Sequence, residues 1–278
     1  MRRLKLNATL IASLLLAASM NTTSFADNTA GAKIHWSYTG KTSAKHWGAL
    51  DPSFELCAHG DEQSPINIPK DEPISKDALA IHYHSTSMII VEDGTTDLTL
   101  GKVQTVINDG HTIQLNFPIE GTKENIVFNG SSYRLVQFHV HTPSENHVDG
   151  KAYPLEIHFV HQGENGKAAV IGVFVKEGEK NPSFEKIIAH LPNKLHTPQI
   201  VKGEHIRPLS LLPRNKHYYS FKGSLTTPPC SQGILWIVMA EPITASHEQI
   251  LELKKAKGGD NARPIQSLEK RSVSYSEK

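Results

Sequence analysis

The sequence predicts a strand-dominated α+β fold, with one large sheet and few, peripheral helices. Three observations carry that prediction. Short runs of alternating or branched residues recur along the chain with Asp-Gly and Asn-Gly pairs between them, the punctuation of strands joined by tight turns. Two runs, Ala168–Val175 (AAVIGVFV) and Gly233–Ala240 (GILWIVMA), are apolar almost throughout, as strands buried on both faces are. Helical spacing is confined to 182–190 and 246–257.

The first 26 residues stand outside this fold. Arg2, Arg3 and Lys5 precede an apolar core, Leu10 to Ala18, that is too short to span a bilayer well. Ser24-Phe25-Ala26 then offers small residues at the positions a signal peptidase reads. The expectation is a signal peptide over 1–26, cleavage before Asp27, and export to the periplasm. Removing those 26 of 278 residues, with their three basic side chains, leaves 252 residues and takes the net charge from +1 to −2. That balance argues against a nucleic-acid or anionic-membrane partner. No linker or repeat divides 27–278, so it reads as a single domain. Cys57 and Cys230 form an even pair in an exported chain, which predicts one disulfide. A loop of 173 steps would be worth roughly 5 kcal/mol in chain entropy.

In chain order, Ile34 to Pro65 carries Trp36, Tyr38 and Trp47 and reads as an irregular segment laid over the body. Gln63 to Ile68 turns into an extended run. From Ile81 the pattern is one of short strands: Ser87–Val91, Asp97–Leu100, Thr105–Ile107, Thr112–Phe117 and Ile126–Phe128. Asp93-Gly94, Asp109-Gly110 and Asn129-Gly130 supply turns among them. Pro182 to His190 places Phe184, Ile187 and Ile188 on one side of a helix. Ser246 to Lys257 is the better helix: Ser246 caps it, Gln249 completes a capping box, and Gly258-Gly259 stop it.

The chemistry concentrates between Gln137 and His161. Gln137–His141 (QFHVH) alternates strictly, and Leu155–His161 is rich in branched and aromatic residues, so an antiparallel pair is expected. Alternation puts Gln137, His139 and His141 on one face, with Phe138 and Val140 on the other. In the second strand Glu156 and His158 share a face. If the polar faces coincide, His139, His141 and His158 converge. Three imidazole nitrogens on rigid strands suit Zn²⁺ with a fourth position open. Gln137 and Glu156, each two residues from a histidine, are placed to take its other N–H. His147 and His161 fall off this face and read as solvated or hydrogen-bonded surface residues. Ser224-Leu225-Thr226-Thr227-Pro228-Pro229 offers two hydroxyls in a stiff loop, and spacing does not choose between Thr226 and Thr227. Glu145 lies beside the metal strands. His139-x-His141-x₃-Glu145 also matches the first cupin motif, with Glu145 as a fourth ligand in an iron or manganese oxygenase or isomerase. Against that, His158 follows too soon and flanking glycines are missing.

QFHVH, SENHVD, EIHFVH and SLTTPP, in this order, resemble the α-class carbonic anhydrases. The resemblance runs from Ile34-His35-Trp36-Ser37-Tyr38 to Asn261-Ala262-Arg263-Pro264, and the leader and cysteine pair are similar to those of bacterial exported members. It implies a twisted, mostly antiparallel central sheet. It implies reversible hydration of CO₂ by zinc-bound hydroxide, with weak ester hydrolysis as a side activity. His139, His141 and His158 would be the zinc ligands. Thr226 would orient the hydroxide, Glu145 would hold Thr226, and Thr227 would contact bicarbonate. Val160, Val170, Leu225 and Trp236 would line the CO₂ pocket. Gln137 and Glu156 would support His139 and His158. The Asn261 carbonyl would support His141, and Tyr38 and Gln114 would help hold a solvent chain. His111, after the Asp109-Gly110 turn, resembles the proton shuttle; an imidazole titrating near neutrality suits that task. Asn146 departs from many animal members, which have His there, and is expected to bear on stability. Homodimers are common among similar proteins. A non-enzymatic zinc- or surface-binding module is the remaining reading of the same fold.

Overall fold

The computed structural model describes residues 34–84, 104–117, 123–201 and 205–277, all within the unit Ile34–Lys278. The leader 1–26, the predicted strands Ser87–Val91 and Asp97–Leu100, and the Asp93-Gly94 turn lie outside the described residues.

The described strands are β1 (Asn67–Ile68), β2 (Leu79–His82), β3 (Thr105–Asn108), β4 (Ile113–Asn116), β5 (Asn125–Phe128), β6 (Ser131–His141), β7 (His147–Val148), β8 (Leu155–Gly163), β9 (Ala168–Glu177), β10 (Gln199–Ile200), β11 (Tyr218–Ser224), β12 (Gln232–Met239), β13 (Ile243–Ala245) and β14 (Ser274–Ser276). The helices are α1 (Trp47–Leu50), α2 (Leu56–His59), α3 (Pro182–Ala189) and α4 (His247–Ala256). One twelve-stranded sheet runs β10-β3-β4-β6-β8-β9-β12-β11-β14, with β5 and β2 branching from β6 and β13 from β9. Its pairings are antiparallel except those of β9 with β12 and β13, so the sheet is mixed and mostly antiparallel. A separate parallel pair joins β1 to β7.

The two apolar runs become the central strands β9 and β12. Eight consecutive residues of β9 are buried, as expected for a strand covered on both faces. On one face Phe138, Val140, Ile157, Phe159, Ile171 and Val173 form the main core, closed by Phe184 and Ile187 of α3 and Ile250 and Leu253 of α4. The Phe138 and Phe159 rings stand 5.2 Å apart, and burying such a side chain contributes about 2–3 kcal/mol. The opposite face of the same strands carries His139, His141 and His158. Ser246 caps α4 with the full capping box to Gln249. Gly258 and Gly259 follow at positive φ, where a residue with a side chain would be strained.

The structure corrects the sequence reading in four places. The first histidine strand begins at Ser131, six residues earlier than expected, because a register shift between Leu135 and Gln137 lets the pairing with β8 continue past an irregularity. β11 has no counterpart among the predicted strands: its residues are buried on both faces, so neither alternation nor an unbroken apolar run marks it. Ile34–Pro65 contains α1, α2 and several 3₁₀ turns wrapped around fully buried Trp47. His161 is fully buried, not at the surface; its position places it on the core face with Ile157 and Phe159.

Candidate metal centre

β6 and β8 lie side by side near the middle of the sheet, with His139 directly opposite His158 and His141 opposite Glu156. That register is what brings the polar faces together. One nitrogen from each of His139, His141 and His158 lies within 4.8 Å of the others, a grouping able to hold one metal ion. His141 and His158 are buried and His139 half-buried.

His139 and His141 each have one nitrogen hydrogen-bonded and one left over, and His158 has one nitrogen set beside a carboxylate. His139 Nδ1 donates to Gln137 Oε1 at 2.9 Å. His141 Nδ1 donates to the Asn261 carbonyl at 2.8 Å, and its buried Nε2 has no hydrogen-bond partner. His158 Nε2 lies 3.1 Å from Glu156 Oε1, leaving Nδ1 facing the cluster. These acceptors set the tautomers and aim the free nitrogens. Burial, and then the neighbouring imidazoles, hold His139 and His141 well below the ordinary histidine range, so both are neutral and can donate a lone pair. For His158 burial acts the same way, but Glu156 and Glu145 outweigh it and raise its pKa. Three nitrogen donors, an orphaned buried nitrogen and nearby carboxylates fit a divalent cation of the zinc type.

The supporting shell is dense. Glu156 Oε2 accepts the backbone N–H groups of Glu145 and Asn146, each at 2.8 Å, and Oε1 accepts Asn146 Nδ2 at 2.8 Å. Asn146 also takes the Ile66 N–H at 3.1 Å, so this departure from the animal pattern serves as a structural clamp. Glu145 Oε1 accepts the Arg263 N–H at 2.8 Å. Burial raises Glu145 to about 7, against the pull of His158, the Arg263 N–H and the Thr226 hydroxyl. Glu145 Oε2 comes within 3.5 Å of His141 Nε2, yet Glu145 is not one of the three residues whose donor atoms converge.

Thr226 is buried and Thr227 is half-exposed. The Thr227 carbonyl accepts the Cys230 N–H at 2.8 Å, which closes the turn. Cys57 and Cys230 are joined in a disulfide. Val160, Val170 and Trp236 lie in one row across β8, β9 and β12. With Leu225 they belong to one apolar cluster, and the Trp236 ring stands 4.9 Å from that of His158. His111 is half-buried and stacked on Trp36 at 3.7 Å. Gln114 lies opposite His139 and donates to Asn116 at 2.6 Å. Tyr38 is close enough to Glu145 and Asp109 for both, after burial, to raise its pKa.

Two contributors went unread in the sequence. Arg263 is buried, and its guanidinium binds Gln63 Oε1, the Ser64 carbonyl and the Cys57 carbonyl at 2.7–2.9 Å. Gly172 lies opposite His158; a Cβ there would sit 2.8 Å from Glu156 Oε1. An arginine two residues past Asn261 and a glycine inside an apolar strand were the available signals.

Fold and site together define a metalloprotein with a three-histidine centre on the face of a large mixed sheet. A sequence model described as eukaryotic-type carbonic anhydrase matches residues 42–277. A carbonic anhydrase of Klebsiella pneumoniae is 39% identical over 263 residues, 94% of this chain and 96% of that protein. One of Pectobacterium carotovorum is 39% identical over 240 residues, 86% and 90% of the two chains. The α-carbonic anhydrase of Thermovibrio ammonificans, solved with sulfanilamide, superposes with a TM-score of 0.77 at 39% identity, covering 87% of this chain and all of that one. Dioscorin, solved with ascorbate, superposes with a TM-score of 0.73 at 30% identity, covering 88% and 98%. The chain belongs to the eukaryotic-type, or α-class, carbonic anhydrase family, a family of metal-dependent lyases.

Proposed function

We propose that the protein catalyses the reversible hydration of CO₂ to bicarbonate and a proton at this centre. The observation that carries the proposal is the convergence of His139, His141 and His158, each ring oriented by a separate acceptor. Zn²⁺ would be held by Nε2 of His139, Nε2 of His141 and Nδ1 of His158. Bound there it acts as a Lewis acid that brings the pKa of a water molecule to about 7, the figure established for carbonic anhydrases themselves.

The chain's own groups do the rest. With the Thr226 hydroxyl donating to Glu145, its oxygen is left to accept a hydrogen bond, which orients the nucleophile's lone pair toward CO₂. Val160, Val170, Leu225 and Trp236 offer an apolar wall to a substrate without hydrogen-bond donors. Thr227 contacts the bicarbonate product. Tyr38 and Gln114 hold the solvent chain that carries the proton to His111, which passes it outward. The same nucleophile supports weak ester hydrolysis. The disulfide fits an oxidising compartment. With the 1–26 leader read as a signal peptide, residues 27–278 form the exported, periplasmic catalytic domain.

The test is stopped-flow CO₂ hydration by the zinc-loaded protein, before and after chelation. Hydration that disappears with the metal supports the reading. His158→Ala is expected to lose both zinc, measured by elemental analysis, and hydration; full activity in that variant would defeat it. The cupin-like iron or manganese reading is set aside, because the chain belongs to the carbonic anhydrase family and Glu145 is not among the converging donors. A non-enzymatic zinc- or surface-binding module is the second reading that the same three-histidine grouping allows. Unit zinc occupancy with no hydration would select it.

A further inference from the structure

Two imidazoles outside the metal centre border His111, and they arrive from segments far apart in the sequence. His35 is exposed and immediately precedes Trp36, the ring on which His111 stacks at 3.7 Å with a tilt of 7°. His196 is exposed on the segment leading into β10. Its backbone N–H donates to the Asn108 carbonyl at 2.7 Å, which fastens it to the turn that carries His111. Its φ of +57° is left-handed. The ring lies against Gly110, where a Cβ would be in ordinary contact with His196 Cε1 at 3.6 Å and Nε2 at 3.8 Å. The turn is itself rigid, with Asp109 Oδ1 accepting the N–H groups of both His111 and Thr112 at 2.8 Å.

Resting on the hydration reading above, we propose that His196 is the outer proton acceptor of a relay that begins at His111. The imidazolium of His111 gives its proton to neutral His196, directly or through one water, and His196 gives it to a buffer base. No other bond forms or breaks. Exposure is what suits His196 to the outer step. His111 is stacked and half-buried, so few orientations let a buffer molecule reach it, whereas His196 presents its ring to solvent. The titratable groups facing His111 are Asp109, His35, His196 and Tyr38. Burial lowers the pKa of His111, Asp109 opposes that, and the two histidines lower it further.

Two variants separate side chain from backbone. His196→Asn removes the imidazole and suits the left-handed φ, while His196→Ala removes it at some backbone strain. Oxygen-18 exchange between CO₂ and water, on the zinc-loaded full chain at low buffer, reads interconversion and proton transfer separately. Both variants are expected to keep wild-type interconversion and to lose at least twofold in the proton-transfer-limited rate. Added imidazole should restore that rate. In the His111→Ala background, removing His196 should have no further effect. Unchanged proton transfer in His196→Asn, with His111→Ala slow, would overturn the relay and leave His111 as the terminal shuttle. A silent His111→Ala would overturn the shuttle reading and the relay with it. Absence of interconversion in the wild type would mark failure of the hydration reading itself.

Discussion

His161 sits three residues beyond His158 on the other face of β8, fully buried. Its Nδ1 donates to the Ala169 carbonyl at 3.3 Å, so in the neutral ring Nε2 accepts the Tyr83 hydroxyl at 2.6 Å. Burial pushes its pKa down to about 3, against the carbonyls of Ala169 and Phe159. The folded state therefore keeps His161 neutral, while the unfolded chain binds a proton below its usual value near 6.5. Between those two values stability rises with pH, and it is lost as pH falls from about 6.5 toward 3, by up to about 1.4 kcal/mol per unit from this residue. Urea unfolding at pH 7.5 and 5.0 should give a smaller loss for His161→Gln than for the wild type. Equal losses would mean that His161 is accessible to protons in the folded state. The metal-facing alternation of Gln137, His139 and His141 was legible because two-residue periodicity is local. The burial of His161 was not, because that side of β8 is covered by Tyr83, whose ring packs against those of both His161 and Phe159.

At the scale of elements, β9 shows how a strand supports a metal centre to which it gives no ligand. Its apolar run announced a buried central strand, and that is what forms. Gly172, in the middle of it, reads as a weakness until the neighbours are named. Glu156 is immobilised by three hydrogen bonds, and Val238 lies on the other side at 3.3 Å from the same Cβ position. Gly172→Ala therefore has to displace Glu156, and with it His158. The expected cost is about 1–3 kcal/mol of stability and about tenfold or more in zinc affinity. Thermal denaturation and competition against a chelator would measure the two. Wild-type affinity would mean that Glu156 does not position His158. The α4 helix, by contrast, was readable to within a residue from Ser246, Gln249 and the two glycines, since caps are set by neighbours in the sequence.

Across the whole molecule, the Ile34–Pro65 segment is held by contacts with partners far along the chain. The Cys57–Cys230 bridge spans 173 residues. Gln63 Nε2 donates to the Cys230 carbonyl at 3.0 Å, and the Arg263 guanidinium lies 5.7 Å from the Trp47 ring centre. Replacing both cysteines with serine is expected to lower unfolding free energy by about 2–5 kcal/mol. Reductant should then destabilise the wild type but not the variant. A variant as stable as the oxidised wild type would show that the hydrogen bonds alone hold this segment.

What the sequence by itself determined were properties of period and neighbourhood. These are a strand-dominated fold, two buried central strands, two helices of which one is marked by its caps, one cysteine pair, and three histidines on matching strand faces. Only the tertiary structure decided which of Thr226 and Thr227 is buried with Glu145. It also decided that Arg263 supports Glu145 from 118 residues away, whereas the Asn261 support of His141, 120 residues apart, was implied by the family resemblance and not by the residue pattern. The arrival of His196 beside the His111 turn was likewise decided by the tertiary structure. The physical reason is that side-chain alternation and capping act over a few residues, whereas these contacts depend on strand order and register across one sheet.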